Sequence, residues 1–259
     1  MNRTAWTALG IAVLAAIGAY LYFRPAVPTG PAPPPPAEPA PAPPAAPPES
    51  HYQIPEPPPA AAPAAPAALD DSDSQMRQAL EQLLGAPAAA MLTPKNLVRR
   101  IVATVDSLDR APIPVRLRAV GAVPGQLAVD GSGGAITLSP RNAQRYDVLI
   151  AGLRATDGAR IGALYRSHYA WFQQAYEDLG YPGRYFNDRL VHVINHLLAT
   201  PEVPYPVALA QSGTLYTYAD PALESLSSGQ KILIRMGPDN AAVVKARLRE
   251  IRRAVTNQP

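Results

Sequence analysis

The chain has 259 residues, no cysteine, 32 prolines and a formal net charge of +3. The lack of cysteine excludes disulfides, thiolate metal ligands and a lipid-modified N-terminal cysteine. The small net charge argues against nucleic acid as a partner, and we predict none.

Residues 5–23 form an uncharged stretch, AWTALGIAVLAAIGAYLYF, that is long enough to cross a membrane as one helix. Its 19 residues rise roughly 28 Å, about the thickness of the hydrocarbon core. Trp6 lies near its start, and Tyr20 and Tyr22 lie near its end, where aromatic belts meet the interface. We therefore predict that residues 5–23 anchor the protein in the inner (plasma) membrane.

The basic residues around this span predict its orientation. Arg3 precedes the span, Arg24 follows it, and no further lysine or arginine occurs before Arg77. The positive-inside rule then favours a cytoplasmic N-terminus and a periplasmic or extracytoplasmic C-terminal domain. A cleaved signal peptide is the alternative, but its apolar region would be unusually long. An uncleaved, single-pass anchor over residues 1–24 is therefore expected.

Residues 25–68 form a spacer in which 19 of 44 residues are proline and 14 are alanine. Such a composition cannot bury a core and holds the chain near polyproline II, so we predict a disordered linker. Fully extended, it would reach roughly 140 Å. His51, Tyr52 and Ile54 interrupt the tract, and a short docking site is the alternative interpretation there.

After the spacer, the chain carries the periodic patterns of one folded domain, beginning with two helices. Ser72 is predicted to cap the first helix, with Gln75 completing a capping box and Gly85 ending the helix. The pair Thr93-Pro94 is predicted to begin the second helix. The apolar stripe of the second helix comprises Leu97, Val98, Ile101, Val102, Val105 and Leu108.

Further helices are predicted from caps and from apolar spacing. They cover residues 140–154, 158–179, 188–200, 221–226, 229–236 and 239–256, and a strand at ILI (232–234) is the alternative within the fifth of these. The predicted caps are Asp157, either Asn187 or Asp188, Asp220 and Ser228.

Three stretches alternate as strands do. Val115–Val120 is predicted as a strand with one wet face, residues 127–138 as a hairpin around DGSGG, and residues 206–218 as a second hairpin. Residues 69–259 are therefore expected to form a predominantly α-helical α+β domain with two small β-hairpins.

Seven strings in this domain are specific enough to compare with known families. They are Ser72-Asp73, VATVDSLDR (102–110), Arg145-Tyr146, AYEDLGYP (175–182), LLATP (197–201), ADPALESLS (219–227) and QKILIRMGPDN (230–240). Together they resemble a bacterial family known as domain of unknown function 3014, over nearly all of residues 69–257. The resemblance implies a membrane-anchored envelope protein with a Pro-rich spacer, and it implies no activity.

His192 and His196 have the i,i+4 spacing of two metal ligands on one helix face. The metalloprotease pattern requires a glutamate after the first histidine, and Val193 stands there. Two surface histidines are the favoured interpretation. We predict no metal, no cofactor and no catalytic residue.

Asp220, Glu224, Lys231 and Arg235 form the candidate charged cluster of the sequence. Each pair of like charges lies one helical turn apart, next to apolar residues, so partial burial is expected. Paired carboxylates can perform acid–base chemistry, but a structural ion-pair cluster is commoner. We expect Glu224 to pair with Lys231 or Arg235.

Tyrosines are frequent between residues 165 and 218, and most are predicted to lie in the core. A tyrosine cluster at a groove, stacking on a sugar or a peptide, is the alternative.

The favoured function is a non-catalytic, membrane-tethered envelope protein whose extracytoplasmic domain binds another envelope protein or polymer. One alternative is an enzyme that acts on an envelope polymer through Asp220 and Glu224. A second alternative is a TonB-like coupling arm, although such arms carry a histidine in the span and this span has none.

Overall fold

The computed structural model describes residues 51–54, 68–110, 114–132, 135–213 and 215–256. Within these ranges the fold is mostly helical with one four-stranded antiparallel sheet, which confirms the α+β prediction. No helix there is both long enough and apolar enough to cross a bilayer. The predicted span over residues 5–23 and most of the predicted spacer lie outside the described residues.

The described α-helices follow the chain in this order. They are α1 (Asp73–Leu84), α2 (Ala86–Ala89), α3 (Leu97–Ser107), α4 (Asp147–Ala155), α5 (Gly158–Ser167), α6 (Tyr169–Asp178), α7 (Phe186–Leu198), α8 (Pro221–Glu224), α9 (Ser228–Arg235) and α10 (Pro238–Thr256). Short 3-10 turns cover Leu69–Asp71, Val115–Leu117 and Pro140–Tyr146.

The largest core lies among α1, α3, α6 and α7. Its fully buried side chains include Met76, Leu97, Val102, Phe186 and Val191. The apolar stripe predicted for α3 therefore faces the core, with its remaining members partly buried at the edge.

Helix α1 follows Ser72 as predicted, but its capping box and the predicted start of α3 are wrong. The Ser72 hydroxyl donates to the Leu69 carbonyl at 2.6 Å, so the predicted capping box with Gln75 does not form. The predicted start at Thr93-Pro94 is displaced to Leu97, because the Asp73 carboxylate accepts the backbone N–H groups of Asn96 and Leu97 at 2.7 and 2.6 Å. A carboxylate of α1 thus caps α3.

The single helix predicted over residues 158–179 is two helices, α5 and α6, separated at His168. The Leu164 carbonyl accepts from the Ser167 hydroxyl at 2.9 Å, and the His168 ring nitrogen lies 3.1 Å from it. The backbone N–H of His168 instead donates to Tyr165. Side chains that compete for a helix carbonyl therefore break the helix here.

Strands β1 (Val129–Asp130) and β2 (Ile136–Leu138) form the first predicted hairpin, and β3 (Val207–Ser212) and β4 (Leu215–Tyr218) form the second. The two hairpins are joined, because β2 pairs with β3 in antiparallel register. This pairing makes one sheet from two hairpins that the sequence predicted as separate.

The strand predicted over residues 115–120 is wrong. Val115–Leu117 form a 3-10 turn, because side chains of α3 bind its carbonyls. Arg100 donates to the Arg116 carbonyl, and the Thr104 hydroxyl donates to the Leu117 carbonyl at 3.2 Å.

The last helix, α10, packs against α5 and α7. Gly162 permits this close approach, because a Cβ atom there would lie 2.5 Å from the Cβ of Ala254. Basic side chains of α10 serve local contacts: Lys245 donates to the Thr200 carbonyl at 2.7 Å, and Arg247 donates to the Leu153 carbonyl at 3.0 Å.

Residues 51–54 lie against the start of α7, and we call them the docked segment. The His51 ring nitrogen lies 3.0 Å from the Asp188 carboxylate, which also accepts the Tyr52 N–H at 2.7 Å. The Asn187 amide donates to the Tyr52 carbonyl at 2.9 Å, and Tyr52 and Ile54 pack on the main core. Because Asn187 and Asp188 hold this segment, neither caps α7, which begins at Phe186. That predicted cap is wrong.

Candidate binding groove

A groove of about 580 Å³ lies between the end of α7 and the start of α10, within the size range of ligand-binding clefts. Its lining comes from three stretches, residues 200–205, 233–234 and 237–245. The first begins within the string LLATP, the second lies within QKILIRMGPDN, and the third begins in that string and ends just after it. The tertiary structure thus brings two strings of the family resemblance to one site.

Local turn chemistry positions the three stretches. The Thr200 hydroxyl donates to the Leu197 carbonyl at 2.6 Å and closes the end of α7. Gly237, with a φ of +84°, turns the chain between α9 and α10 in a conformation that favours glycine. The ammonium group of Lys245 donates to the Thr200 carbonyl at 2.7 Å and ties α10 to the end of α7. These contacts therefore fix the end of α7 and the start of α10 on the two sides of the groove.

The walls of the groove are mostly apolar. Leu233 and Ile234 are buried, and Val203 and Tyr205 are partly buried against the core on the sheet side. The Tyr205 hydroxyl donates to the Ile234 carbonyl at 3.3 Å, and burial raises the pKa of Tyr205. Small side chains on α10, including Ala242, leave the space open.

Two exposed carboxylates, Glu202 and Asp239, lie in the lining of this groove. Neither side chain has a hydrogen bond or an ion pair with any residue that the structure describes. Lys245 also lines the groove, and it donates to the Thr200 carbonyl, which holds the side chain and leaves its positive charge unpaired. The groove therefore combines an apolar floor with two carboxylates and one ammonium group, an excess of one negative charge.

The structure brings only two of the four predicted cluster residues into one ion pair. Lys231 lies 2.6 Å from one carboxylate oxygen of Glu224, and the other oxygen accepts the Tyr218 N–H at 2.8 Å. Burial alone would raise the pKa of Glu224, but these hydrogen bonds lower it overall. Asp220 instead caps α8 by accepting the Ala222 N–H, and Arg235 lies over the ring of Tyr218, 5.8 Å from its centroid.

A larger ion cluster, which sequence reasoning missed, joins α3 to α7 through Arg189. Its guanidinium donates to Asp106 at 2.7 Å and to both carboxylate oxygens of Asp109 at 2.6 Å. The Tyr181 hydroxyl donates to Asp106 at 3.2 Å, and the Arg110 guanidinium also donates to Asp106 at 3.2 Å. Burial alone would lower the pKa of Arg189 and raise that of Asp109. The contacts within the cluster outweigh burial, so the pKa of Arg189 is raised and that of Asp109 is lowered.

The signal for this ion cluster was present in the sequence. Asp106 and Asp109 are three residues apart at the end of a helix, inside the string VATVDSLDR. That spacing places two carboxylates on one helix face, but Arg189 lies 80 residues beyond Asp109 along the chain. A partner so distant cannot be assigned from local spacing.

The two histidines of α7 have different partners. His192 lies 3.2 Å from the Asp109 carboxylate, and His196 lies 2.8 Å from the hydroxyl of Ser227. Ser227, one residue before the predicted Ser228, caps α9 in a capping box with Gln230. No group of three or more histidine or acidic residues able to hold a metal occurs in the described ranges.

These features define a mixed α+β domain with a large ion-pair cluster and an apolar groove. The chain belongs to the family described as protein of unknown function (DUF3014), whose model matches residues 97–252. That range includes the groove and Arg189, whereas Ser72-Asp73 precedes it. No curated protein and no solved structure matches the chain.

Proposed function

We propose that the protein is a membrane-tethered, non-catalytic envelope protein whose domain binds another envelope component in the groove. The observation that supports this most is the groove itself, an apolar gap of about 580 Å³ between α7 and α10. Burial of apolar surface is the main driving force of such association. The partner therefore contributes apolar side chains to the groove.

The charges of the groove favour a partner that also carries lysine or arginine. Glu202 and Asp239 lack partners among the described residues, so a basic side chain on the partner would meet unpaired carboxylates. Complementary charge of this kind raises the association rate and selects partners. The proposed partner segment is thus apolar with a flanking basic residue.

The tether is proposed from the sequence. The uncharged stretch at 5–23 and the absence of lysine and arginine between Arg24 and Arg77 support a single-pass inner-membrane anchor with the domain outside. Asp220 and Glu224 both make local structural contacts, so no observation favours the enzyme alternative.

Site-specific photo-crosslinking of the full chain in intact cells tests the binding role. A photoreactive residue at Glu202 is expected to capture a distinct partner, whereas one at Val148, exposed on α4, is expected to capture none. Ala242→Trp fills the groove and should abolish the Glu202 crosslink. Ala246→Trp, an exposed position on the same helix outside the lining, should preserve it.

Two outcomes would overturn the proposal. One is the same set of crosslinks from Glu202 and Val148, which would mean non-specific proximity. The other is a Glu202 crosslink that survives Ala242→Trp, which would place the partner outside the groove.

A further inference from the structure

A second surface depression, of about 460 Å³, is lined mainly by arginine and aliphatic side chains. It lies between α3, the turn at Val115–Leu117 and the end of α6. Arg99 and Arg100 come from α3, Arg116 comes from the turn, and Leu179 follows α6. We call this the arginine surface, and it shares no residue with the groove.

The charges of the arginine surface are only partly balanced. Arg99 is paired with Asp70 at 2.6 Å and with Asp178 at 3.0 Å. Arg100 donates only to backbone carbonyls, which hold the side chain and leave its charge unpaired. The Arg116 side chain is exposed and has no hydrogen bond or ion pair with any described residue. The lining thus holds three arginines and two carboxylates, an excess of one positive charge, and the guanidinium groups of Arg100 and Arg116 are not paired with a carboxylate.

Two exposed aliphatic side chains flank these arginines. Val115 is 75% exposed beside Arg116 in the turn, and Leu179 is 39% exposed in the lining. Apolar side chains that project next to arginines are the combination that peripheral proteins present to a bilayer interface. The apolar groups enter the headgroup region while the guanidinium groups meet lipid phosphates.

We propose that the arginine surface docks the domain on the anionic headgroups of the bilayer. The proposal rests on the membrane tether of the proposed function but not on the groove. The 26 residues at 25–50 would span about 80 Å in polyproline II form, so the tether is long enough for the domain to reach the membrane. The chain would then contact the membrane twice, through the anchor at 5–23 and through the arginine surface, with the spacer between them.

The lack of cysteine makes a direct test possible with the full chain in lipid nanodiscs. Val115→Cys, labelled with an environment-sensitive dye, should shift its emission to shorter wavelength in discs containing phosphatidylglycerol. It should not do so in discs of phosphatidylcholine alone. Leu215→Cys, 71% exposed on the sheet, is the matched control and should show no shift in either disc.

A charge reversal tests the role of the arginines. Arg116→Glu should weaken docking about 30-fold, because each basic residue near an anionic surface contributes about fivefold. Arg249→Glu, an exposed position on α10 with the same change of charge, should leave docking unchanged. Because the Arg116 side chain has no described partner, its replacement is not expected to disturb the fold.

Several outcomes would overturn the proposal. They are equal emission shifts in the two kinds of disc, an equal shift at Leu215, and an unchanged shift with Arg116→Glu. Suppression of the shift by inorganic phosphate, but not by sodium chloride at the same ionic strength, would assign the surface to free phosphate rather than to a bilayer. A failed Glu202 crosslink would leave this result untouched, so the docking and the binding role of the groove fail separately.

Discussion

Arg189 on α7 pairs with two carboxylates at the end of α3. Its side chain is 13% exposed, and those of Asp106 and Asp109 are 7% and 11% exposed. Ionised groups so deeply buried are stable only when they are paired, because the cost of removing them from water is large. Loss of Arg189 would leave these two buried carboxylates with Arg110, whose side chain is 54% exposed, as their remaining guanidinium partner.

Arg189→Met is therefore expected to lower the free energy of unfolding by about 3–5 kcal/mol, measured by urea denaturation. Arg99→Met is the control, because Arg99 is a third exposed and its partner Asp70 is 81% exposed, and it should cost about 0–1 kcal/mol. Equal losses for the two variants would contradict the assignment of the stability to burial.

The pH dependence gives an independent check of the same ion cluster. Burial alone would raise the pKa of Asp109, but pairing lowers it overall. Asp109 therefore stabilises the fold at pH values above its pKa in the unfolded chain, about 4. The contribution is lost as the pH falls through the lower folded value. The stability difference between the wild type and Arg189→Met should therefore shrink below about pH 4. A difference that stays constant with pH would contradict a contribution from the ionised Asp109.

Glu224 connects three elements. It belongs to α8, accepts a backbone N–H of Tyr218 on β4 and pairs with Lys231 on α9. Strand β4 is an edge of the sheet, so its outward N–H groups lack a strand partner. The carboxylate therefore closes part of the open edge while it holds α9 in place.

Two substitutions separate these roles of Glu224. The side chain is 37% exposed, so loss of the charge alone in Glu224→Gln should cost only about 0–1 kcal/mol. Glu224→Ala also removes the acceptor for the Tyr218 N–H and should cost about 1–2 kcal/mol. Urea denaturation measures both. Equal losses would show that the ion pair, and not the hydrogen bond to the strand, carries the stability.

The docked segment precedes the predicted domain boundary at Leu69 and packs on the main core. The docked segment at 51–54 binds the first turn of α7, and Asn187 there also donates to the Val255 carbonyl at the end of α10. The segment therefore meets the point where the first turn of α7 and the last turn of α10 converge. Any tether that precedes residue 51 is consequently joined to the domain at a defined place.

Tyr52→Ala is expected to lower the free energy of unfolding by about 1–2 kcal/mol, because it removes a partly buried aromatic ring from the main core. Gln53→Ala, the exposed neighbour, is the matched control and should be neutral. A chain beginning at Leu69 should lose at least as much stability as Tyr52→Ala. A Tyr52→Ala protein as stable as the wild type would mean that the docked segment adds nothing to the fold.

Predictions from the sequence succeeded where the cause lies within a few residues. The α3 stripe follows from helical spacing, and Asp157 and Asp220 cap α5 and α8 as predicted. They failed where a distant side chain competes for the backbone. Arg100 and Thr104 bind the carbonyls of residues 116–118 and turn an alternating stretch away from strand geometry.

The sequence by itself determined the α+β class, both hairpins and the family, because helical period, turn residues and specific strings are local. It also supports the expected anchor at 5–23. Only the tertiary structure decided which residues form a site. The groove depends on Lys245 meeting Thr200, 45 residues away, and the ion cluster depends on Arg189 meeting Asp109, 80 residues away. Such pairs are chosen by packing of whole helices, and short-range spacing carries no information about them.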